Sequence, residues 1–234
     1  MTGAIEGRHV VVTGGTGALG KVVVARLLDE GAICHVPSHS RTGSLDALEH
    51  QDRLHITPGI DLTDEAATDS FYDAVPGLWA SIHLAGGFGM ARIEDSSRDD
   101  FLHMIEMNAL TVFLCSKAAT RNMRKTGQGG RIVNVSARPG LELRKGARMV
   151  AYGTGKAAVA AITMALAEEL KGDRILVNAI APSTLDTPAN RESMPKADPA
   201  KWLTPDAAAS AILQLVSPAN LEISGAILPL YARA

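Results

Sequence analysis

Charge, aromatic residues and cysteine are all scarce in this chain of 234 residues. The formal net charge is only −2, which gives no electrostatic reason for binding nucleic acid or an anionic membrane surface. Aromatic residues are 4% of the chain. Small residues take their place, which suits helices laid closely on a sheet. There are two cysteines, Cys34 and Cys115, one in a predicted strand and one in a predicted helix. That argues against a disulfide framework, and a cytoplasmic location is the expectation. The first predicted strand begins by His9, which leaves no room for a signal peptide. No apolar run reads as long enough to span a bilayer. Seven histidines lie scattered without metal-ligand spacing, so no metal is expected. Linkers, low-complexity segments and internal repeats are also missing, and residues 1–234 read as one domain.

The apolar fraction is 46%, ample for a core. Short runs of β-branched and apolar residues read as strands at Val10–Thr13, Ala32–Val36, Leu54–Thr57, Trp79–Leu84, Ile132–Ser136, Ile175–Ile180 and Ala226–Leu230. Helical patterns separate them at Lys21–Glu30, Thr63–Val75, Asp99–Lys125, Val150–Lys171 and Pro205–Val216. Alternating strands and helices predict an α/β fold whose parallel sheet is covered on both faces. One long irregular stretch, Pro182–Leu203, follows a strand's carboxyl end, where open α/β sheets bind ligands.

The sequence Val10-Val-Val-Thr-Gly-Gly-Thr-Gly-Ala-Leu-Gly20 joins the first strand to the first helix. Strand, glycine-rich turn and helix in that order suit a dinucleotide-phosphate loop. Gly14 and Gly17 allow close backbone approach, and Gly20 lets the helix lie on the strand. Thr16, Ala18 and Leu19 complete the loop, and the helix start offers free N–H groups to a pyrophosphate. The competing reading is a glycine-rich hairpin turn.

Dinucleotide folds often place an acid after the second strand to hold the ribose 2′-OH of NAD. Here Ser38-His-Ser-Arg41 occupies that place, and the next acid is Asp46. Ser38, Ser40 and Arg41 would donate to a 2′-phosphate, so the reading leans to NADP(H) over NAD(H). The alternative is a solvated turn. Asp61 and Leu62 follow the third strand, where they would contact adenine; equally, Asp61 would begin the turn before Thr63.

Tyr152 and Lys156 stand at i and i+4, on one face of a helix. A nearby ammonium favours phenolate and lowers the phenol's pKa, which makes the tyrosine a usable acid–base group. Such a spacing is also common on helix surfaces by chance.

Taken together, TGGTGALG, Leu84-Ala-Gly-Gly87, Asn108, Gly130-Arg-Ile-Val-Asn-Val-Ser136 and YGTGK resemble the short-chain dehydrogenase/reductase family along essentially the whole chain. The resemblance implies a Rossmann-like, doubly wound, seven-stranded sheet in three α/β/α layers. It implies Tyr152 as proton donor or acceptor, Lys156 on the nicotinamide ribose, and Asn108 holding the water of a proton relay. Ala85, Gly86 and Gly87 would support the fourth strand beside the cofactor. It also implies a homodimer or homotetramer through the Tyr152 helix, whose Ala157, Ala158, Ala161 and Ala165 form a small-residue face, and the helix after Asn108.

Two departures stand out. Ala18 replaces the middle glycine of the TGxxxGxG pattern. Ala137 replaces the serine that contacts the substrate oxygen, leaving Ser136, Ala137 and Arg138 as the residues beside the substrate. Ala137 and the tail Thr184–Asp198, with Trp202 and Pro205, are similar to dihydropteridine reductases of the same superfamily, which reduce a quinonoid dihydropterin. The loop from Pro182 would cover the nicotinamide, with Thr184 and Thr187 on its carboxamide and Asn190, Arg191 and Met194 lining the pocket. Arg138, Arg144, Lys145 and Arg148 read as a solvated basic rim. The expectation is an NAD(P)-dependent reductase of a small carbonyl or carbonyl-like substrate. The alternatives are dihydropterin reduction and a nucleotide-binding protein without turnover.

Overall fold

The structure is a computed structural model, and it describes residues 5–39, 45–231 and 233. Seven strands form one sheet: β1 (His9–Thr13), β2 (Ile33–Ser38), β3 (Leu54–Pro58), β4 (Leu78–His83), β5 (Gly130–Val135), β6 (Ile175–Pro182) and β7 (Ile227–Leu230). Their order is β3-β2-β1-β4-β5-β6-β7, with every pairing parallel. The order reverses between β1 and β4, and such a switch point opens a crevice at the carboxyl ends of the strands.

Helices alternate with the strands: α1 (Ala18–Asp29), α2 (Glu65–Asp73), α3 (Arg98–Ile105), α4 (Thr111–Thr126), α5 (Arg138–Leu141), α6 (Val150–Glu169), α7 (Pro188–Ser193) and α8 (Pro205–Val216). Alternate strand residues feed two apolar layers. Val10, Val12, Val36 and Ile82 pack with α1 and α8. Val11, Leu78, Ile132 and Val177 pack with Phe71 and Tyr72 of α2 and Cys115 and Met123 of α4. Cys34 and Cys115 are both buried and free, and burial pushes each thiol up to about 12.

All seven predicted strands are present, with shifted ends. β2 extends to Ser38 and β6 to Pro182, while β5 stops at Val135, so Ser136 lies just outside it. The predicted helix over residues 99–125 is interrupted. A π turn, Glu106–Leu110, separates α3 from α4, and the Thr111 N–H bonds the Glu106 carbonyl five residues back. The expectation that no segment has the length and apolarity to cross a membrane is corrected by α6. It meets both criteria, with a mean hydropathy of 1.3. Its apolarity has a packing origin: small residues bring α6 against α3, α5, β5 and β6.

Candidate active site

The glycine loop sits at the carboxyl end of β1, beside the end of β4. Gly14 has φ +65°, and a Cβ there would lie 2.7 Å from the Ala85 nitrogen. A Cβ on Gly20 would lie 2.1 Å from the Gly14 carbonyl oxygen. Both positions therefore require glycine. Ala18 does not share that requirement, because it is the exposed first residue of α1, after the extended Gly17. Thr16 is half-buried in the turn, and Leu19 buries its side chain in the core, so only its backbone faces the loop. No side chain caps α1 and its first turn carries no acid. Its N-terminal N–H groups and positive dipole end are thus left for an anion. The cradle fits a pyrophosphate without a side chain in the way.

Ser38 ends β2 and is buried, with its carbonyl accepting from the Ile60 N–H. Ser40 and Arg41 lie outside the described residues. Asp61 builds a turn: one carboxylate oxygen accepts from the Thr63 N–H at 2.9 Å and the Thr63 hydroxyl at 2.7 Å. Those bonds hold its carboxyl below the usual range. Leu62 is half-buried beside it.

The fourth strand leads into Ala85-Gly86-Gly87. Ala85 N–H donates to the Thr13 hydroxyl at 3.2 Å, and Gly87 N–H donates to Asn108 Oδ1 at 3.3 Å. Asn108 is buried in the middle of the π turn and donates through Nδ2 to the Met104 carbonyl at 3.0 Å. A Cβ on Gly86 would lie 2.7 Å from Asn108 Oδ1 and 3.4 Å from Lys156 Nζ. Asn108, Gly86 and Lys156 therefore meet at one point, brought from a helix, a strand end and a second helix. Lys156 is 7% exposed and donates to the Val135 carbonyl at 2.9 Å. Its Nζ stands 6.0 Å from the centre of the Tyr152 ring. The Tyr152 ring meets Phe88 at 5.1 Å between ring centres, in an edge-to-face arrangement.

The electrostatics differ from the expectation that Lys156 lowers the tyrosine. Burial pushes the Tyr152 phenol up to about 12 and the Lys156 ammonium down to about 8. Desolvation disfavours both charged forms, and burial is the cause of both shifts.

Three expected substrate neighbours are placed differently from one another. Ser136 is buried and donates its hydroxyl to the Lys156 carbonyl at 2.7 Å. It fastens β5 to α6 through that bond. Ala137 is 4% exposed and extended, so a methyl occupies the position where a hydroxyl was missed in the sequence. Arg138 is already engaged, by Glu142 at 2.9 Å and by the face of the Tyr231 ring at 4.6 Å.

Residues 182–203 are more ordered than a long irregular loop. Leu185 and Leu203 form a parallel bridge that closes the segment at its base. The Thr184 carbonyl accepts from the Leu203 N–H and the Asp186 N–H donates to the Leu203 carbonyl. Thr187, whose hydroxyl accepts from the Asn190 N–H, caps α7, while Asn190 Nδ2 holds the Leu185 carbonyl at 2.8 Å. Arg191 is locked in a two-bond pair with Asp186. Asn190 and Arg191 thus spend some of their donors on ordering the segment itself. Met194 stays partly exposed, at the exit of α7. Pro182 is buried at the end of β6.

Sequence reasoning missed Phe88 and the π turn. No periodicity marks a lone aromatic in a glycine-rich segment, and an apolar helical pattern reads the same with or without one extra residue per turn. Among the described residues, no group of three or more His, Cys, Asp or Glu side chains is arranged to hold a metal.

Comparison with known proteins agrees with this geometry. Residues 8–198 match the family model for short chain dehydrogenase. The chain is 34% identical to galactitol 2-dehydrogenase of Rhizobium johnstonii, across 95% of this chain and 93% of that one. It is 30% identical to an NADPH-dependent aldehyde reductase-like protein of Arabidopsis thaliana, across 78% and 74%. A solved short-chain type dehydrogenase/reductase from Mycobacterium ulcerans has the same fold, with a TM-score of 0.89 at 23% identity over 98% of this chain and 90% of that one. A glycine cradle at the switch point, a Tyr–Lys pair on α6 and a family match over most of the chain lead to one assignment: the chain belongs to the short-chain dehydrogenase/reductase family of NAD(P)-dependent oxidoreductases.

Proposed function

We propose that Tyr152, Lys156 and Asn108 carry hydride-transfer chemistry between a nicotinamide dinucleotide and a small carbonyl or carbonyl-like substrate. The observation that supports this reading is the meeting of Asn108, Gly86 and Lys156 at the carboxyl ends of β4 and β5, with Tyr152 one helical turn from Lys156. The loop from Gly14 to Gly20 and the start of α1 would hold the pyrophosphate, and Asp61 and Leu62 would flank the adenine. Ala85 to Gly87, Pro182, Thr184 and Thr187 would border the nicotinamide. When bound, the reduced nicotinamide supplies the hydride.

Tyr152 gives its phenolic proton to the substrate oxygen as the carbonyl carbon is reduced. The phenol carries its proton at pH 7, and burial raises its pKa further, so a proton is available to a reduced oxygen. Lys156 would hold the ribose hydroxyls of the dinucleotide, and its ammonium would stabilise the phenolate that remains. Asn108 fixes the strand end and holds the water through which Tyr152 regains a proton. The sequence from Ser38 to Leu45 holds no acid, which favours NADP(H), with Arg41 on the 2′-phosphate. Phe88 is 64% exposed beside Tyr152 and gives the pocket an apolar wall.

A second reading rests on Ala137. Without the hydroxyl, an ordinary ketone lacks one donor, whereas a quinonoid dihydropterin, which is reduced within a conjugated ring, has less need of it. The test is NADPH and NADH oxidation with a quinonoid dihydropterin beside a panel of small ketones and diketones. Turnover of either class supports hydride transfer and selects the substrate. Cofactor binding with no turnover of any substrate contradicts it and favours a nucleotide-binding protein. The exposed Phe113 of α4 and Met164 of α6 suit a homodimer or homotetramer through those helices, which sedimentation velocity would detect.

A further inference from the structure

At the end of the sheet opposite the catalytic crevice, the amino ends of β4, β5 and β6 and the turn before β7 enclose a cavity of about 660 Å³. Four cations line it: Arg8, Arg131, Lys171 and Arg174. Glu222 is the only carboxylate among its lining residues. Lys171 already pairs with Glu168, and Arg174 holds the Gly127 carbonyl. Arg8 and Arg131 form no ion pair among the described residues, and both lay their guanidinium groups over the Trp79 ring, at 3.8 and 4.8 Å from its centre.

Arg131 carries the argument. It is 6% exposed, and its Nε is buried with no hydrogen-bond partner. Its other nitrogens donate to the Gly130 and Asn220 carbonyls. A buried guanidinium without a carboxylate, sharing an indole with a second guanidinium, is costly to hold. Burial and the neighbouring Arg8 both work against its charge. Buried polar atoms left unpaired are rare, and this one belongs to a cation that no carboxylate among the described residues compensates. Beside the polar Gln128 and Ser224, the wall has an apolar part: Trp79, fixed by its indole N–H on the Val216 carbonyl at 2.9 Å, with Leu176, Pro218 and the 71% exposed Leu221.

We infer that this cavity is a second ligand site, for a small organic phosphate. A phosphate dianion would sit among Arg8, Arg131 and Arg174, since the guanidinium fork matches phosphate oxygens two at a time. The apolar part of the ligand would lie along Trp79, Leu176 and Leu221. No residue of the catalytic crevice takes part.

Trp79 is one of two tryptophans, so in a Trp202→Phe background its fluorescence reports this cavity alone. The probes are inorganic phosphate, n-hexyl phosphate and hexanoate, at constant ionic strength. Saturable changes are expected for both phosphates, with n-hexyl phosphate the tighter. The Arg8→Gln/Arg174→Gln double variant, which leaves buried Arg131 in place, should weaken binding by about tenfold or more. No saturable change in the parent, or equal binding by the double variant, would overturn the site. Hexanoate binding as tightly as n-hexyl phosphate would overturn its assignment to phosphate.

Discussion

Replacing Lys156 by methionine should make the cofactor-free protein more stable while removing its turnover. The ammonium is 7% exposed, and burial lowers its pKa from 10.5 to about 8. At roughly 1.4 kcal/mol per pH unit, holding that charge costs the fold about 3 kcal/mol at pH 7. Methionine is close in shape and carries no charge. The variant loses the bond from the ammonium to the Val135 carbonyl, at roughly 1.5–3 kcal/mol. The net is a gain of up to about 1.5 kcal/mol, or up to about 5 °C in Tm for a chain of this length. The pH dependence gives an independent check. Between about pH 8 and 10.5 the unfolded chain binds a proton that the folded one has released, so wild-type stability rises with pH across that window. The variant should lack this component, so its advantage should shrink as pH approaches 10. Urea unfolding of both proteins at pH 7 and pH 10 measures the difference. A variant less stable than wild type at pH 7, with a gap that does not change by pH 10, would refute the reasoning. Stability sacrificed for a buried charge is expected where a site is built for function.

Other expectations follow from the same structure. His83 is buried between Asn134 at 2.7 Å and Ser81 at 2.8 Å, and burial lowers its pKa to about 4. Its contribution is complete above the usual histidine pKa of about 6.5 and is lost as pH falls toward 4, because the unfolded chain then binds the extra proton. An NMR titration should find its ring neutral at pH 5.5, and a midpoint near 6.5 would contradict the burial. Ala137→Ser meets no backbone obstacle, since that residue is extended; it should raise kcat/KM for ketones by up to roughly 10²-fold, and unchanged or lower values would show that the substrate oxygen lies elsewhere. Gly14→Ala puts a Cβ 2.7 Å from the Ala85 nitrogen at a positive φ. Cofactor affinity, read by fluorescence, should fall by about tenfold or more, and retained affinity would move the pyrophosphate off this loop.

The alternation of strand and helix was legible because each element carries its own period, and all seven strands and the glycine loop lie where the sequence places them. What stayed hidden depends on neighbours that are distant in sequence. The bond from the Ser136 hydroxyl to the Lys156 carbonyl joins β5's exit to α6 across 20 residues of sequence. No periodicity announces the bonds of Asn190 to Leu185 and of Arg191 to Asp186 that order the segment after β6. The i, i+4 spacing placed Tyr152 near Lys156, but the sign of the pKa shift depends on desolvation, which spacing does not contain. The π turn that seats Asn108 leaves no trace in a continuous apolar pattern. The arginine-lined cavity needs several chain segments brought to one end of the sheet, and no motif encodes it.

The most direct test of the central claim is Tyr152→Phe, measured for cofactor binding and for turnover in the same preparation. The phenol hydroxyl is the only group removed, and the ring contact with Phe88 remains. If Tyr152 is the proton donor, NAD(P)H affinity should stay within a few-fold while substrate-dependent oxidation falls by roughly 10²-fold or more. Turnover close to that of the parent, with affinity intact, would contradict the account.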